Sequence, residues 1–379
     1  MSIKKLAGKL HLWLGLSTGL VVFIISITGC FYAFQKEILD ATEDFRFSEV
    51  KDMEVLAPSA FEEISKDRFP DHHLHAINYP GKGRSVETIY YAFEPVEYYF
   101  SVYHDPYTAE IIEVKDHEAS FFHWILDGHY YLWLPPEIGQ PVTAYGTLIF
   151  LIMIISGIIL WWPKNKAARK QRFWFKWKAS TKWKRKNYDL HNIVGFYTSV
   201  FALILATTGI VFGIQWFAYI YYKGLGGSKE LIYITPPSSR YEQVAEQTPP
   251  IDKVWHKMLS EYPEAVSIEV HTAESDTSAI AANANYKEDM YWSTDYRYFD
   301  QNTLAEIPVN HVYGRLKDAD TADKLLRMNY DIHVGAILGL PGKIIAFIIS
   351  LLCASLPVTG FMVWIGKKNK KKRSEAMET

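Results

Sequence analysis

Hydrophobic and polar positions along this chain fall into two textures. Four stretches are almost purely apolar, from about Leu12 to Phe34, Val142 to Trp162, Ile193 to Phe217 and Ile344 to Ile365. As helices, each is long enough to cross a hydrocarbon layer of ~30 Å. Two long polar segments of ordinary globular mix lie between the first and second stretches and between the third and fourth. In the first, a helical stretch from Pro58 to Arg68 precedes alternating runs near His75–Tyr79, Val86–Phe93, Tyr98–Tyr103 and Ala109–Val114. In the second, Ile251 to Glu261 is followed by runs near Ala265–Val270, Ala279–Ala284, Tyr291–Phe299 and Leu304–Ile307. With Asx-type turns after His104 and Phe299, this pattern predicts a small α+β module in each segment.

The predicted order is an N-terminal segment with the first membrane helix (1–35), a first exported module (36–140) and a second helix (141–163). A basic loop (164–188), a third helix (189–218), a second exported module (219–335), a fourth helix (336–366) and a basic tail (367–379) follow. The chain therefore reads as membrane α-helical, with the two modules outside the bilayer.

Averages hide this arrangement: the net charge is −2 and the mean hydropathy −0.07. The distribution of charge is more telling. Lys4, Lys5 and Lys9, the acid-free segment from Lys164 to Lys186, and a tail rich in Lys after Gly366 all flank apolar stretches. The segments Gln35 to Pro141 and Ala218 to Pro341 are much richer in Asp and Glu. By the positive-inside rule both termini and the basic loop are cytoplasmic and the modules are exported, which predicts a multi-pass protein of a bacterial inner membrane. The basic loop faces lipid headgroups or an acidic partner. No nucleic-acid partner is expected. The two cysteines, Cys30 and Cys353, both fall inside apolar stretches, so no disulfide framework is implied. Ile27-Thr28-Gly29-Cys30 also fits a lipoprotein cleavage signal, against which stands the recurrence of Thr208-Gly209 in the third helix with no Cys after it.

The chain repeats itself. His11, Gly15 and Thr28-Gly29 in the first helix recur at identical spacing as His191, Gly195 and Thr208-Gly209 in the third. The second and fourth helices carry Ser156-Gly157 and Thr359-Gly360, each shortly before Trp and a basic run. Each half is helix, exported module, helix.

Ionisable residues at membrane depth are costly and mark function. His11 and His191 open the first and third helices; His129 and His333 precede the second and fourth. Each membrane face thus receives two histidines from different helices, the arrangement that grips one iron from both axial sides. Gly15 and Gly195, one turn beyond His11 and His191, leave room for a flat porphyrin. Two imidazoles and no further ligand suit haem, whereas zinc asks for four protein ligands. Without Cys-x-x-Cys-His the haem would be two non-covalent b-type groups. Asp127, Asp189 and Asp331 sit two residues before His129, His191 and His333, as helix N-caps or as partners that orient the imidazoles. His123 competes with His129 as ligand. His72, His73 and His75 resemble a metal cluster or a solvated strand entry. No catalytic side chain stands out.

Leu10-His11-Leu12-Trp13-Leu14-Gly15, His129-Tyr130-Tyr131-Leu132, Gly157-Ile158-Ile159-Leu160-Trp161-Trp162-Pro163, Asp189-Leu190-His191-Asn192-Ile193-Val194-Gly195 and the run from Ile332-His333 to Pro341-Gly342 resemble, in that order, the PepSY-associated transmembrane family. Pro135-Pro136-Glu137 departs from its pattern. The resemblance implies two helix–PepSY–helix repeats, with His11, His191, His129 and His333 ligating two haem b. It also implies an oxidoreductase that reduces a periplasmic Fe(III)-siderophore in iron uptake; oxygen-rich chelators then release Fe(II). The residues do not name the electron donor; a quinol and a soluble cytoplasmic flavoprotein both fit. Two other readings stand beside it: a haem-free regulatory protein whose modules bind a peptidase or transporter, and a cytochrome serving another exported acceptor, such as copper or a periplasmic redox protein. The lack of a Gly-x-Gly-x-x-Gly fingerprint favours the haem-free one.

Overall fold

The computed structural model describes residues 2–93, 96–163, 165–241 and 248–375. Lys164 and the side chains from residue 369 onward, which belong to the basic flanks, lie outside the described residues. In chain order, α1 (Ile3–Tyr32), α2 (Gln35–Thr42) and α3 (Pro58–Arg68) lead to β1 (Leu74–Tyr79), β2 (Val86–Ala92), β3 (Tyr98–His104) and β4 (Ile111–Asp116). Next come α4 (Phe121–Tyr131), α5 (Pro136–Trp161), α6 (Lys166–Arg172), α7 (Trp183–Gly213), α8 (Gln215–Gly224) and α9 (Pro250–Glu261). The chain finishes with β5 (Ser267–His271), β6 (Ile280–Asn285), β7 (Asp295–Phe299), α10 (Thr321–His333) and α11 (Leu340–Glu375).

These elements form two compact units. The first gathers Met1–Phe34, Trp124–Ile220 and Ile332–Thr379, and holds four helices long and apolar enough to span a membrane: α1, α5, α7 and α11. α1 packs on α5 and α11, and α7 packs on the same two, so α1 faces α7 across one diagonal and α5 faces α11 across the other. Small side chains let the helices approach, with Ala202, Ala206, Cys353 and Ala354 all buried. Large apolar side chains point the other way: Leu20 is 71% and Val200 63% exposed, which lipid tolerates and water does not. The protein is multi-pass.

Basic residues close one end of this bundle. Lys4 Nζ donates to the carbonyl of Trp162 at 2.7 Å, Lys184 Nζ to that of Gly366 at 2.6 Å, and Arg172 to those of Leu160 and Trp161. Lys4 and Arg172 thus meet the carbonyl end of α5, where the helix dipole is negative, while Lys184 meets a carbonyl inside α11.

The second unit, Gln35–His123 with Tyr221–Asp331, is built on one antiparallel sheet in the order β4-β3-β2-β1-β5-β6-β7. Helices α3 and α9 pack together and cover a core of Phe61, Tyr90, Val102, Trp255, Met258 and Phe299. Asp252 in the first turn of α9 accepts from the Ser59 amide and hydroxyl at 2.8 and 2.6 Å, satisfying orphan donors at the start of α3.

The strands and helices expected from sequence recur with small shifts, and three differences are instructive. First, the two expected α+β modules share one sheet, because β1 and β5 pair and so remove an exposed edge from each. Second, Leu304–Ile307 forms only an isolated bridge, Phe299 with Glu306. Third, α7 begins at Trp183, six residues before the expected start, so the basic loop contributes its last turns to the membrane helix.

Candidate functional site

All four of these histidines lie in the helical unit, His11 and His191 about two turns inside α1 and α7 rather than at their starts, and they meet in two pairs. His11 on α1 and His191 on α7 face each other across a diagonal, ring centroids 6.2 Å apart and planes inclined at 72°. His129 near the end of α4 and His333 at the end of α10 stand 6.1 Å apart at 67°. Gly29 on α1 lies against His129, eighteen residues from His11, so the two pairs are about 27 Å apart along the helix axis.

The sharp turns after His129 and His333 bring the second pair inward. Leu132 and Trp133 adopt left-handed φ of 56° and 57°, after which Pro136 opens α5. Gly335 takes φ 84°, and a Cβ there would run into the Gly342 carbonyl. Only glycine fits such a position without strain. The Pro135-Pro136-Glu137 departure is therefore the start of a helix. His129, and not His123, faces His333; His123 belongs to the sheet unit.

Each imidazole lies against a Ser/Thr-Gly pair on a neighbouring helix. His11 Nδ1 is 3.0 Å from Ser156 Oγ, His191 Nδ1 is 3.0 Å from Thr359 Oγ1, His129 Nδ1 is 3.1 Å from Thr28 Oγ1, and His333 Nδ1 is 2.9 Å from Thr208 Oγ1. Each of these hydroxyls donates its own proton to a carbonyl three or four residues back in its helix, as Thr28 does to Ile24 at 2.8 Å and Thr208 to Ile204 at 2.8 Å. It therefore accepts from the ring. His11 Nδ1 also lies 3.2 Å from the Met153 carbonyl, which only accepts. All four rings are accordingly Nδ1–H tautomers that leave Nε2 as a free ligand.

The glycines are part of the same device. A Cβ on Gly157, Gly360, Gly29 or Gly209 would fall 3.2, 3.0, 3.2 or 3.1 Å from Cε1 of His11, His191, His129 or His333 respectively. The missing side chain lets each ring lie on the helix backbone.

Other expected residues are placed elsewhere. Gly15 and Gly195 abut Met153 and Leu356, at 3.1 and 3.7 Å from an ideal Cβ. Asp189 accepts from Arg185 at 2.9 Å and Trp177 at 3.3 Å, and Asp331 from the amides of Tyr291 and Trp292. Asp127, Asp189 and Asp331 all sit inside helices rather than at their starts, which removes the N-cap reading. The orienting role falls instead to hydroxyls. Their signal was present in the sequence as the repeated Ser/Thr-Gly pairs, but nothing local tied each pair to a histidine on another helix.

These pairs can be tested against a bis-imidazole haem. Two iron–nitrogen bonds of about 2 Å plus two ring radii put opposed imidazole centroids about 6.3 Å apart, which the observed 6.2 and 6.1 Å match. The Nδ1–H tautomers supply the required free Nε2 atoms. Among the described residues no group of three His, Cys, Asp or Glu converges, so neither pair has the ligands of a tetrahedral zinc site. Trp161 Nε1, four residues beyond Gly157, is buried without an acceptor and offers a donor to a carboxylate. The residues fit the group.

Four apolar spans with two facing imidazole pairs, on a chain that also carries a sheet unit, define a multi-pass membrane protein with a histidine-paired bundle. The chain belongs to the family described as PepSY-associated TM region, which matches residues 9–367. No curated protein matches it closely enough to add to that finding.

Proposed function

We propose that this protein carries electrons across the bacterial inner membrane on two b-type haems and reduces Fe(III)-siderophore on the exported side. The observation that carries this reading is the pair of imidazole separations, 6.2 and 6.1 Å, each with Nδ1 fixed and Nε2 free. His11 with His191, and His129 with His333, would hold one haem each. Bound there, haem would supply a one-electron iron couple, which suits electron transfer.

The chain's own residues do the rest. Ser156, Thr359, Thr28 and Thr208 set the tautomers and ring orientations; the adjacent glycines admit the rings; the apolar helix faces exclude water. Lys4, Arg172 and Lys184 at one end put positive charge on the side assigned to the cytoplasm, with both termini. The recurrence of the same histidine, hydroxyl and glycine set in each half supports two helix–module–helix repeats related by an axis along the membrane normal.

The test is an optical spectrum of the full chain purified after haem-replete expression. Sharp reduced α-bands and two haems per chain are expected; absence of haem absorption sinks the reading. Proteoliposomes with reductant trapped inside should then reduce external ferric hydroxamate or catecholate chelates. Haem without chelate reduction would instead assign another exported acceptor.

A further inference from the structure

We infer that the sheet unit carries a second metal site, formed by His75 and His271 across the β1–β5 seam, for a divalent first-row transition ion with Cu²⁺ the tightest. It is independent of the haem pairs and stands or falls without them.

The placement of His75 is the first argument. Leu74 pairs with Tyr90 and Ala76 with Ile89, so β1 carries one extra residue opposite β2, and that residue is His75. In a regular strand His75 would point with Ile77 into the core beneath α3 and α9. The bulge turns it to the opposite face, beside His271, which pairs with Ala76. Bulges that re-aim a side chain cluster at functional positions. There His75 lies 4.3 Å from the Tyr91 ring.

The geometry of the two rings is the second argument. His75 Nε2 and His271 Nδ1 are 3.0 Å apart, with ring centroids 4.8 Å apart and planes inclined at 82°. A straight N–H···N bond of that length would put the centroids roughly 5.3 Å apart. The rings are therefore inclined to the N···N line rather than collinear with it. Two nitrogens about 2.1 Å from one ion and at right angles are about 3.0 Å apart, the spacing of neighbouring ligands in a tetragonal site.

Third, the free nitrogen of His271 is prepared. His271 Nε2 lies 2.8 Å from Glu269 Oε1, which accepts its proton and leaves Nδ1 with a lone pair toward His75. The Asn283 amide nitrogen lies 3.0 Å from the same Nε2 and donates to the Glu269 carboxylate at 3.3 Å. A carboxylate behind a ligating imidazole is the usual support of a metal site. Both histidines are only partly buried. With no third His, Cys, Asp or Glu converging among the described residues, water or a chelate's oxygens fill the remaining positions. Imidazole donors in such a set favour Cu²⁺ in the divalent series.

The test uses the full chain, purified on a tag without histidine, titrated with CuCl₂ and followed by calorimetry and electron paramagnetic resonance. One equivalent of tetragonal Cu²⁺ coupled to two imidazole nitrogens is expected. His75→Ala with His271→Ala should abolish that equivalent, while His72→Ala with His73→Ala should keep it. Glu269→Gln should weaken it by about 10–100-fold. His75→Gln alone should cut the coupled nitrogens to one. Where the double variant fails to fold, the wild-type spectrum decides: no stoichiometric copper, or coupling to three or more nitrogens, overturns the site. So does a first equivalent bound as tightly by the folded double variant.

Discussion

The paired histidines of the bundle and His271 of the sheet are held by different chemistry, whereas the buried His104 of β3 meets a hydroxyl, that of Thr88 at 3.0 Å, as the bundle histidines do. In the bundle each ring Nδ1 meets a Ser or Thr hydroxyl, as His333 meets Thr208 at 2.9 Å. In the sheet His271 meets the Glu269 carboxylate at 2.8 Å. The difference follows from solvent. A carboxylate among apolar membrane helices would be a buried charge with no water to relieve it. A hydroxyl costs far less, because it spends its own proton on a carbonyl of its own helix and presents a lone pair to the ring. Near the partly solvated sheet face a carboxylate is affordable and binds the ring proton more strongly. This is also why Asp189 and Asp331 turn away from the neighbouring imidazoles toward Arg185, Trp177 and backbone amides.

The largest effects come from deleting rings. His191→Ala and His333→Ala should each remove one of the two haems, halving the haem absorbance per chain, whereas His75→Ala should leave it unchanged. Equal loss in all three would erase the distinction between the two regions.

A smaller and more discriminating change is made at one hydroxyl. Thr208→Val keeps shape but strands the His333 ring proton, and should weaken haem at that pair by about 10–100-fold. Thr208→Asp should be worse, since it buries a charge beside the ring. Haem-transfer titration to an apo-acceptor protein ranks the three; Asp equal to or better than Thr would contradict the solvent argument.

The smallest effect lies in the sheet unit. Burial works against the charge of Asp40, but Arg84, Lys36 and Arg46 hold its carboxyl well below the usual carboxylate range. Its stabilisation is thus fully present above an ordinary carboxyl pKa of about 4 and is lost as pH falls below it. Asp40→Asn should cost roughly 2 kcal/mol at neutral pH and flatten the acid limb of the stability profile. Thermal denaturation from pH 7 to pH 3 measures both; an unchanged acid limb would remove Asp40 from the account.

Much was legible before any coordinates. Hydrophobic runs of membrane length, basic flanks, helices beginning at Pro58 and Pro250, and strands near residues 75, 86, 98, 267 and 280 are all local signals, written in the residues that form them. The four histidines were legible too, but only His129 and His333 lie at helix ends; His11 and His191 lie about two turns inside α1 and α7, because those helices begin in the polar flanks rather than at the apolar runs. Tertiary structure alone decided the rest: that His129 faces His333, that hydroxyls rather than carboxylates hold the rings, that β1 joins β5, and that a bulge turns His75 outward. Periodicity reports which face of an element is apolar. It does not report which element packs against that face, and apart from the β1–β2 bulge every one of these contacts joins residues more than a hundred positions apart.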